Sequence, residues 1–475
     1  MRRIPRNRKN KPTQPLPPGP VLSGHSGGGL FYAMTTLYPK QEEHALDIYR
    51  SLLSNDSALD TSETGTGKTI ISAHIAKQWE SHGKGVAVIC PKSVVTHWER
   101  TLRDHGVEPL FVNNYEKLRN GVEGVVRVKR KCKRKSRTDK YFEWEVPKDT
   151  LLIFDEVQWC RGSHTQNGNL LISAKQQKFQ TLNLSATAAK DPSEMRALGF
   201  ALGVHDLNNL KGNNSFFHWA ESNGCKRDPF NPYRYKFKAG GDLSTLNLDL
   251  FDIRRVAHGL KTSDMPGAFK NQNIVTDLGD YSGAADAYEQ AGLTEAVVGK
   301  LLGDITDKAM ESGTTITDIL RARQHVEMLK VTHFIEQTND LLEEGKSVIT
   351  FFNFRDSIET FRKAFPDSGV VIGGQGDRQK VLDDWADDKI RVLAVQTQAG
   401  GTGVNLHDIR GEFPRVTLIS PDFSVHGFKQ VLGRAYRTGM KTDLLQKVMI
   451  AAGTVEEYVH QRCMEGLDNM VTMLG

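Results

Sequence analysis

Seven short apolar runs narrow the folds open to this chain more than any other feature. They are "GVAVICP" (85–91), "TLLIFDE" (150–156), "TLNLSAT" (181–187), "KSVITFF" (346–352), "SGVVIGG" (368–374), "IRVLAVQ" (390–396) and "FPRVTLIS" (413–420). Each is a continuous stretch of apolar or β-branched residues rather than an alternating one, and amphipathic stretches separate them. That is the pattern of parallel strands covered by helices on both faces. The runs fall into two clusters, roughly 36–205 and 335–475. One hydrophobic core rarely grows past about 250–300 residues, so a chain of 475 should build each cluster into a lobe of its own.

The stretch between the clusters reads differently. "TEAVVGKLLGDITDKAM" and "ITDILRARQHVEMLKVTHFIEQTNDLLEE" carry helical periodicity, and few strand-like runs accompany them. The expected organisation is an α/β chain with a basic, Pro- and Gly-rich arm over 1–34 and a first lobe over 35–205. Helical protrusions and a linker follow over 206–335, then a second lobe over 336–475. No apolar run approaches the roughly 18 residues of a membrane span, and the N-terminus lacks the apolar segment of a secretory signal. An intracellular protein is expected. The five cysteines are scattered and form no C-x-x-C pair, which argues against a disulfide framework or a zinc site.

Charge is concentrated. Residues 1–11 hold six basic and no acidic side chains, and residues 127–140 hold nine basic ones with Asp139 as the lone acid. The second group lies in "VVRVKRKCKRKSRTDKYFEWEV" (125–146), where alternation on the way out and again through Phe142, Trp144 and Val146 predicts a β-hairpin over 124–147. Such a cluster fits contact with a polyanion. The aromatic residues could stack on unpaired bases, but alternation with valines fits packing of the hairpin itself better.

"TSETGTGKT" (61–69) approaches the phosphate-loop pattern G-x-x-x-x-G-K-[ST], with Ser62 where the pattern has its first glycine. Thr64, Gly65, Thr66 and Gly67 form the tight turn, Lys68 supplies positive charge to the phosphates and Thr69 a hydroxyl for a magnesium ion. Asp155 and Glu156 follow directly on the apolar run "LLIF". A carboxylate there faces a ligand at the carboxyl end of a parallel sheet. Asp155 would hold the ion and Glu156 would orient and deprotonate an attacking water.

In order along the chain, these segments and others resemble the motifs of the superfamily-two helicases and translocases, and within them the Swi/Snf-type ATPases. "LYPKQ" (37–41) is similar to the adenine-reading segment, with Gln41 as its glutamine. "VICPKSVVTHWERTL" (88–102) and "NNYEKL" (113–118) are similar to nucleic-acid-contacting segments, which implies contacts by Lys92, Ser93 and Tyr115. "LNLSATAAKDPSEM" (182–195) resembles the Ser-Ala-Thr motif that couples hydrolysis to motion. In the second cluster, "VQTQAGGTGVNLHD" (395–408) resembles the fifth motif, implying Thr397 at the nucleic acid and Gly403 at the nucleotide. "KQVLGRAYRTGM" (429–440) resembles the sixth, with Gln430 at the nucleotide and Arg434 and Arg437 on one helical face as catalytic arginines. "QTQAGG" and the helix before it also resemble the annealing-helicase branch.

The resemblance implies two RecA-like lobes that bind ATP and Mg²⁺ between them and act as a monomeric motor on DNA, duplex more than single-stranded, with RNA less favoured. Lys129, Arg130, Lys131, Lys133, Arg134 and Lys135 of the hairpin would meet phosphates. A strand-separating or annealing helicase on branched DNA or RNA is the alternative. A scaffold that has lost hydrolysis is disfavoured, because every catalytic residue type is present.

Overall fold

Alternation along the apolar runs sets the layering. In the first lobe Val88, Leu151 and Ile153 face one way, meeting Ile71, Ile75 and Trp79 of one helix and Trp98 and Leu102 of another. Ala87, Ile89, Leu152 and Phe154 face the other way, onto Leu170, Leu171 and Ala174. In the second lobe Ile349 and Phe351 belong to one core and Val348 and Phe352 to another. The computed structural model describes residues 37–133, 137–161, 165–189, 191–207, 215–227, 235–237, 243–295, 297–298, 316–400 and 404–474. The expected 1–34 arm lies outside them.

The first lobe contributes, in chain order, β1 (Ser57–Asp60), β2 (Val86–Cys90), β3 (Phe111–Asn114), the antiparallel pair β4 (Val126–Lys133) and β5 (Arg137–Trp144), β6 (Leu151–Asp155) and β7 (Gln180–Leu184). A small antiparallel pair follows, β8 (Cys225–Arg227) and β9 (Tyr235–Phe237), and then β10 (Ala257–His258). The second lobe contributes β11 (Gln272–Gly279), β12 (Ser347–Phe352), β13 (Gly369–Val371), β14 (Val392–Gln396), β15 (Arg415–Ile419) and β16 (Leu444–Ala451). The first sheet runs β10-β1-β7-β6-β2-β3 and the second β11-β16-β15-β12-β14-β13. All neighbours within both sheets are parallel. The two expected parallel-sheet lobes in tandem are therefore present, and so is the hairpin.

The middle region differs from expectation. It is not a helical spacer throughout: β10 joins the first sheet beside β1, and β11 forms an eight-residue edge of the second, paired with β16. β11 escaped the sequence reading because an edge strand is only half covered, and "QNIVTDLG" alternates exposed and partly buried residues instead of forming an apolar run. The helix Ile316–Glu343 runs across the expected boundary at 335 into the second lobe. Among the described residues no helix is long and apolar enough to cross a membrane, and Cys90, Cys160, Cys225 and Cys463 are buried and free.

The hairpin's aromatic stripe packs inward. Phe142, Trp144 and Val146 are buried in the first-lobe core, Trp144 stacks on Phe111 and meets Phe154 edge-on, and its indole N–H donates to Ser173 Oγ at 3.1 Å. The Phe142 and Trp144 rings anchor the hairpin and are not free to stack on bases, whereas the Tyr141 ring is exposed.

Candidate functional site

The carboxyl ends of β1, β7 and β6 lie side by side, with Asp60 and Asp155 both in register with Leu184. The segments leaving them, 61–67, 155–156 and 185–187, therefore open onto one crevice, where α/β sheets hold ligands. The loop 61–67 feeds directly into the helix Lys68–Ser81, whose unpaired N–H groups and dipole favour an anion. Gly65 has φ 88°, and a Cβ there would collide with the Tyr436 carbonyl of the second lobe. Lys68 donates to the carbonyls of Ser62 (2.6 Å) and Glu63 (3.1 Å). Burial pulls its pKa down, opposed by the charges of Asp60, Glu156 and Asp155.

The acids face this lysine. Asp155 Oδ2 accepts the Trp98 indole N–H at 2.7 Å and Oδ1 accepts the Glu156 backbone N–H at 2.9 Å. Burial, and then the neighbouring Glu156 charge, push the Asp155 carboxyl well above the usual carboxylate range. Glu156 sits at φ 53°, a left-handed conformation that a non-glycine residue holds only when its surroundings enforce it. Its carboxylate is tied to Gln158, whose amide donates to Glu156 Oε2 and whose carbonyl accepts from Ser185 Oγ.

From the second lobe comes the helix Val425–Ala435, capped by Ser424, whose hydroxyl accepts the Gly427 N–H. Gly433 lies so close to Thr64 that a Cβ would overlap the threonine side chain. Lys429 donates to the Ala186 carbonyl at 2.9 Å, the Thr438 N–H donates to the Gly65 carbonyl at 3.1 Å, and Arg161 meets His426. Arg434 is on this helix, but Arg437 is not. The helix ends at Ala435 and Tyr436 turns away at φ −96°, ψ 99°, so the two arginines approach by different routes instead of along one helical face. Both nevertheless line the same cleft of about 280 Å³, with Thr64, Gly65, Gly67, Lys68, Thr69, Asp155, Glu156 and Gln430. Burial lowers Arg434 to about 10, and burial with the Arg434 charge lowers Arg437 to about 9. Both remain cations at neutral pH.

Several expected contacts lie elsewhere. Gln41 is buried behind the loop, its amide donating to the Thr66 carbonyl at 2.7 Å and its carbonyl accepting the Tyr38 N–H at 2.9 Å. It braces the turn and does not line the cleft. Tyr115 is fully buried, its hydroxyl donating to the Asp155 carbonyl, and Thr397 is buried with its hydroxyl on the Phe352 carbonyl. Neither presents itself to a nucleic acid. Each points into its own lobe. Lys92 and Ser93 are exposed. Lys129 is exposed and paired with Glu143 at 2.7 Å. Gly403, Arg134, Lys135 and the side chains of Arg130, Lys131 and Lys133 lie outside the described residues. Sequence reading missed His97, Asn405, His407 and Thr438, which also line the cleft, and Trp98 as a donor to Asp155. Burial and then the Arg437 charge hold His407 at about 4, so it is neutral. Asn405 and His407 stand inside "GVNLHD", where no spacing distinguishes them from a loop.

A phosphate loop leaving β1, two acids at the end of β6 two strands away, and two arginines from a second parallel-sheet lobe form the arrangement that a two-lobed nucleoside-triphosphate hydrolase needs. The family model of the helicase conserved C-terminal domain matches residues 330–439. A protein of Acanthamoeba polyphaga mimivirus named an ATP-dependent RNA helicase, L364, is 29% identical over 89% of this chain and 80% of its own length. The SNF2 domain-containing protein ENL1 of Oryza sativa is 21% identical over 90% of this chain but half of its own length. The DNA repair protein rhp54 of Schizosaccharomyces pombe is 34% identical over 18% of this chain and 10% of its own. The chain is thus similar to superfamily-two helicase-type ATPases of the Swi/Snf kind.

Proposed function

We propose that this chain is a motor that tracks along duplex DNA, hydrolysing ATP in the cleft between its lobes. The observation that carries the reading is the meeting of Lys68, Asp155 and Glu156 of one lobe with Arg434 and Arg437 of the other in one cleft. A site completed by both lobes links hydrolysis to their relative motion. Both halves come from one chain, so a monomer suffices.

Lys68 and the N–H groups of the loop would hold the phosphates, Gln430 would contact the nucleotide, and Glu156 would orient the attacking water. The arginines would neutralise charge developing on the γ-phosphoryl oxygens. Asp155 and Thr69 would hold magnesium, which supplies charge neutralisation on the β and γ oxygens. Their oxygen donors suit a hard cation, and the Asp155 carboxyl stands beside that of Glu156 at the end of β6. No cluster of three or more His, Cys, Asp or Glu gathers among the described residues, which fits an ion shared with phosphates better than a protein-only cage.

The track reading rests on the Swi/Snf kinship and on the basic hairpin, whose Lys129, Arg130, Lys131, Lys133, Arg134 and Lys135 are assigned to phosphates. The mimivirus relative, matched over most of the chain, favours a second reading, an RNA helicase. ATPase rates measured without nucleic acid and with single-stranded DNA, blunt duplex DNA, forked DNA and RNA separate the two. Stimulation of about tenfold or more by blunt duplex DNA is expected; stimulation by RNA or single strands alone would sink the duplex motor.

The hairpin has its own test. Val128 pairs with Phe142, so replacing residues 129–141 by Asn-Gly leaves a two-residue turn of the kind antiparallel strands favour. Eight basic residues go with the tip. Each phosphate contact contributes about 0.9 to the slope of log affinity against log salt on duplex DNA, so the slope should fall by several units. An unchanged slope would remove the hairpin from the interface.

A further inference from the structure

Ser62, where the phosphate-loop pattern has glycine, is among the most firmly held residues of the loop. It is 1% exposed, its hydroxyl accepts the Leu260 N–H at 3.0 Å, and it lies 2.9 Å from His44 Nε2. Its backbone N–H donates to Asp60 Oδ1 at 2.9 Å, and that oxygen is 3.1 Å from the same His44 nitrogen. Serine, histidine and aspartate are the residue types of a hydrolase triad, yet both contacts fall on one imidazole nitrogen, so no proton can be relayed across the ring. The cluster is a clamp. Burial alone would raise the Asp60 carboxyl, but the His44, Lys68 and Ser62 contacts outweigh it and hold it at about 2.

What the clamp grips is the chain running between the lobes. Leu59, Thr61 and Glu63 donate their N–H groups to the carbonyls of Val256, His258 and Leu260 at 2.7, 2.8 and 3.0 Å, and the Thr262 N–H donates to Glu63 Oε2 at 2.8 Å. The segment 256–262 is thus laid along the phosphate loop. The same chain continues to Ala268, whose carbonyl accepts the Gly439 N–H at 2.9 Å, and then to β11 of the second sheet. On the other side of Ser62, its carbonyl accepts from Lys68 at 2.6 Å.

We propose that Ser62 is a positioning residue for the nucleotide: its hydroxyl, held between His44 and the Leu260 N–H, fastens the inter-lobe segment to the phosphate loop and sets the Ser62 carbonyl that orients Lys68. This rests on reading the cleft as the ATP site. The left-handed residues of the loop are Gly65 and Gly67 and not Ser62, so glycine at 62 is conformationally permitted and the serine is there for its hydroxyl.

The decisive variant is Ser62→Gly, which moves the chain toward the common pattern. Leaving a buried N–H unpaired is expected to raise KM for ATP about tenfold, with kcat within about twofold, while Ser62→Thr keeps the wild-type KM. A merely structural role would reduce the active fraction, lowering apparent kcat and leaving KM alone. Should Ser62→Gly fail to fold, Ser62→Ala removes the same hydroxyl with less backbone freedom and should show the same rise. A wild-type KM in the folded variant overturns the proposal while the ATP site stands. A wild-type chain that turns over no ATP overturns the site and this proposal together.

Discussion

Lys68→Ala will lower ATP turnover by at least about 10³-fold, roughly 4 kcal/mol of transition-state stabilisation, while leaving affinity for nucleic acid within about threefold. The lysine opens the helix that follows the loop, so its stem is fixed by the helix and its ammonium is aimed into the crevice. There burial pulls its pKa down, and the charges of Asp60, Glu156 and Asp155 oppose that pull. Its hydrogen bonds to the Ser62 and Glu63 carbonyls use two of the ammonium's three donors and leave the third for a phosphate. Alanine keeps the helix and removes the charge. Steady-state ATPase and an equilibrium binding assay on the same preparation check both halves. Turnover within tenfold of wild type would mean that the loop is not the phosphate site.

How much of this was legible beforehand follows from where each residue's partners lie in sequence. That Lys68, Asp155, Glu156, Arg434 and Arg437 would share one cleft could be anticipated, because phosphoryl chemistry would need those types and each sits just after an apolar run or within a fixed spacing. The two lobes could be read because buried parallel strands leave continuous apolar runs. β11 left none, being an edge. Tyr115 and Thr397 misled because a motif fixes where a residue stands in the chain and not which way it points: one turns its hydroxyl to the Asp155 carbonyl, the other to that of Phe352. The Ser62 clamp was invisible for a third reason. Its partners are His44, 18 residues before it, and Leu260, 198 residues after, and only the folded chain brings them together.

Removing the second-lobe charge should separate catalysis from binding. Arg437→Ala is expected to lower kcat about 10³-fold, within the range for arginines that neutralise a phosphoryl transition state, with KM for ATP changed less than about threefold. The Thr438 N–H is bonded to the Gly65 carbonyl, and Gly65 packs against the Arg437 backbone and Cγ. The guanidinium is therefore delivered to the loop only when the second lobe is docked, whereas the loop and Lys68 hold nucleotide from the first lobe alone. Arg434, on the helix before it and lining the same cleft, should behave alike. Arg437→Lys should recover less than about tenfold, since an ammonium cannot reproduce the planar fork of donors. If KM rises and kcat holds, Arg437 binds ground state and transition state equally, and lobe closure is not what times hydrolysis. If kcat alone falls, the cleft fires only when both lobes meet, and their closing is what times hydrolysis.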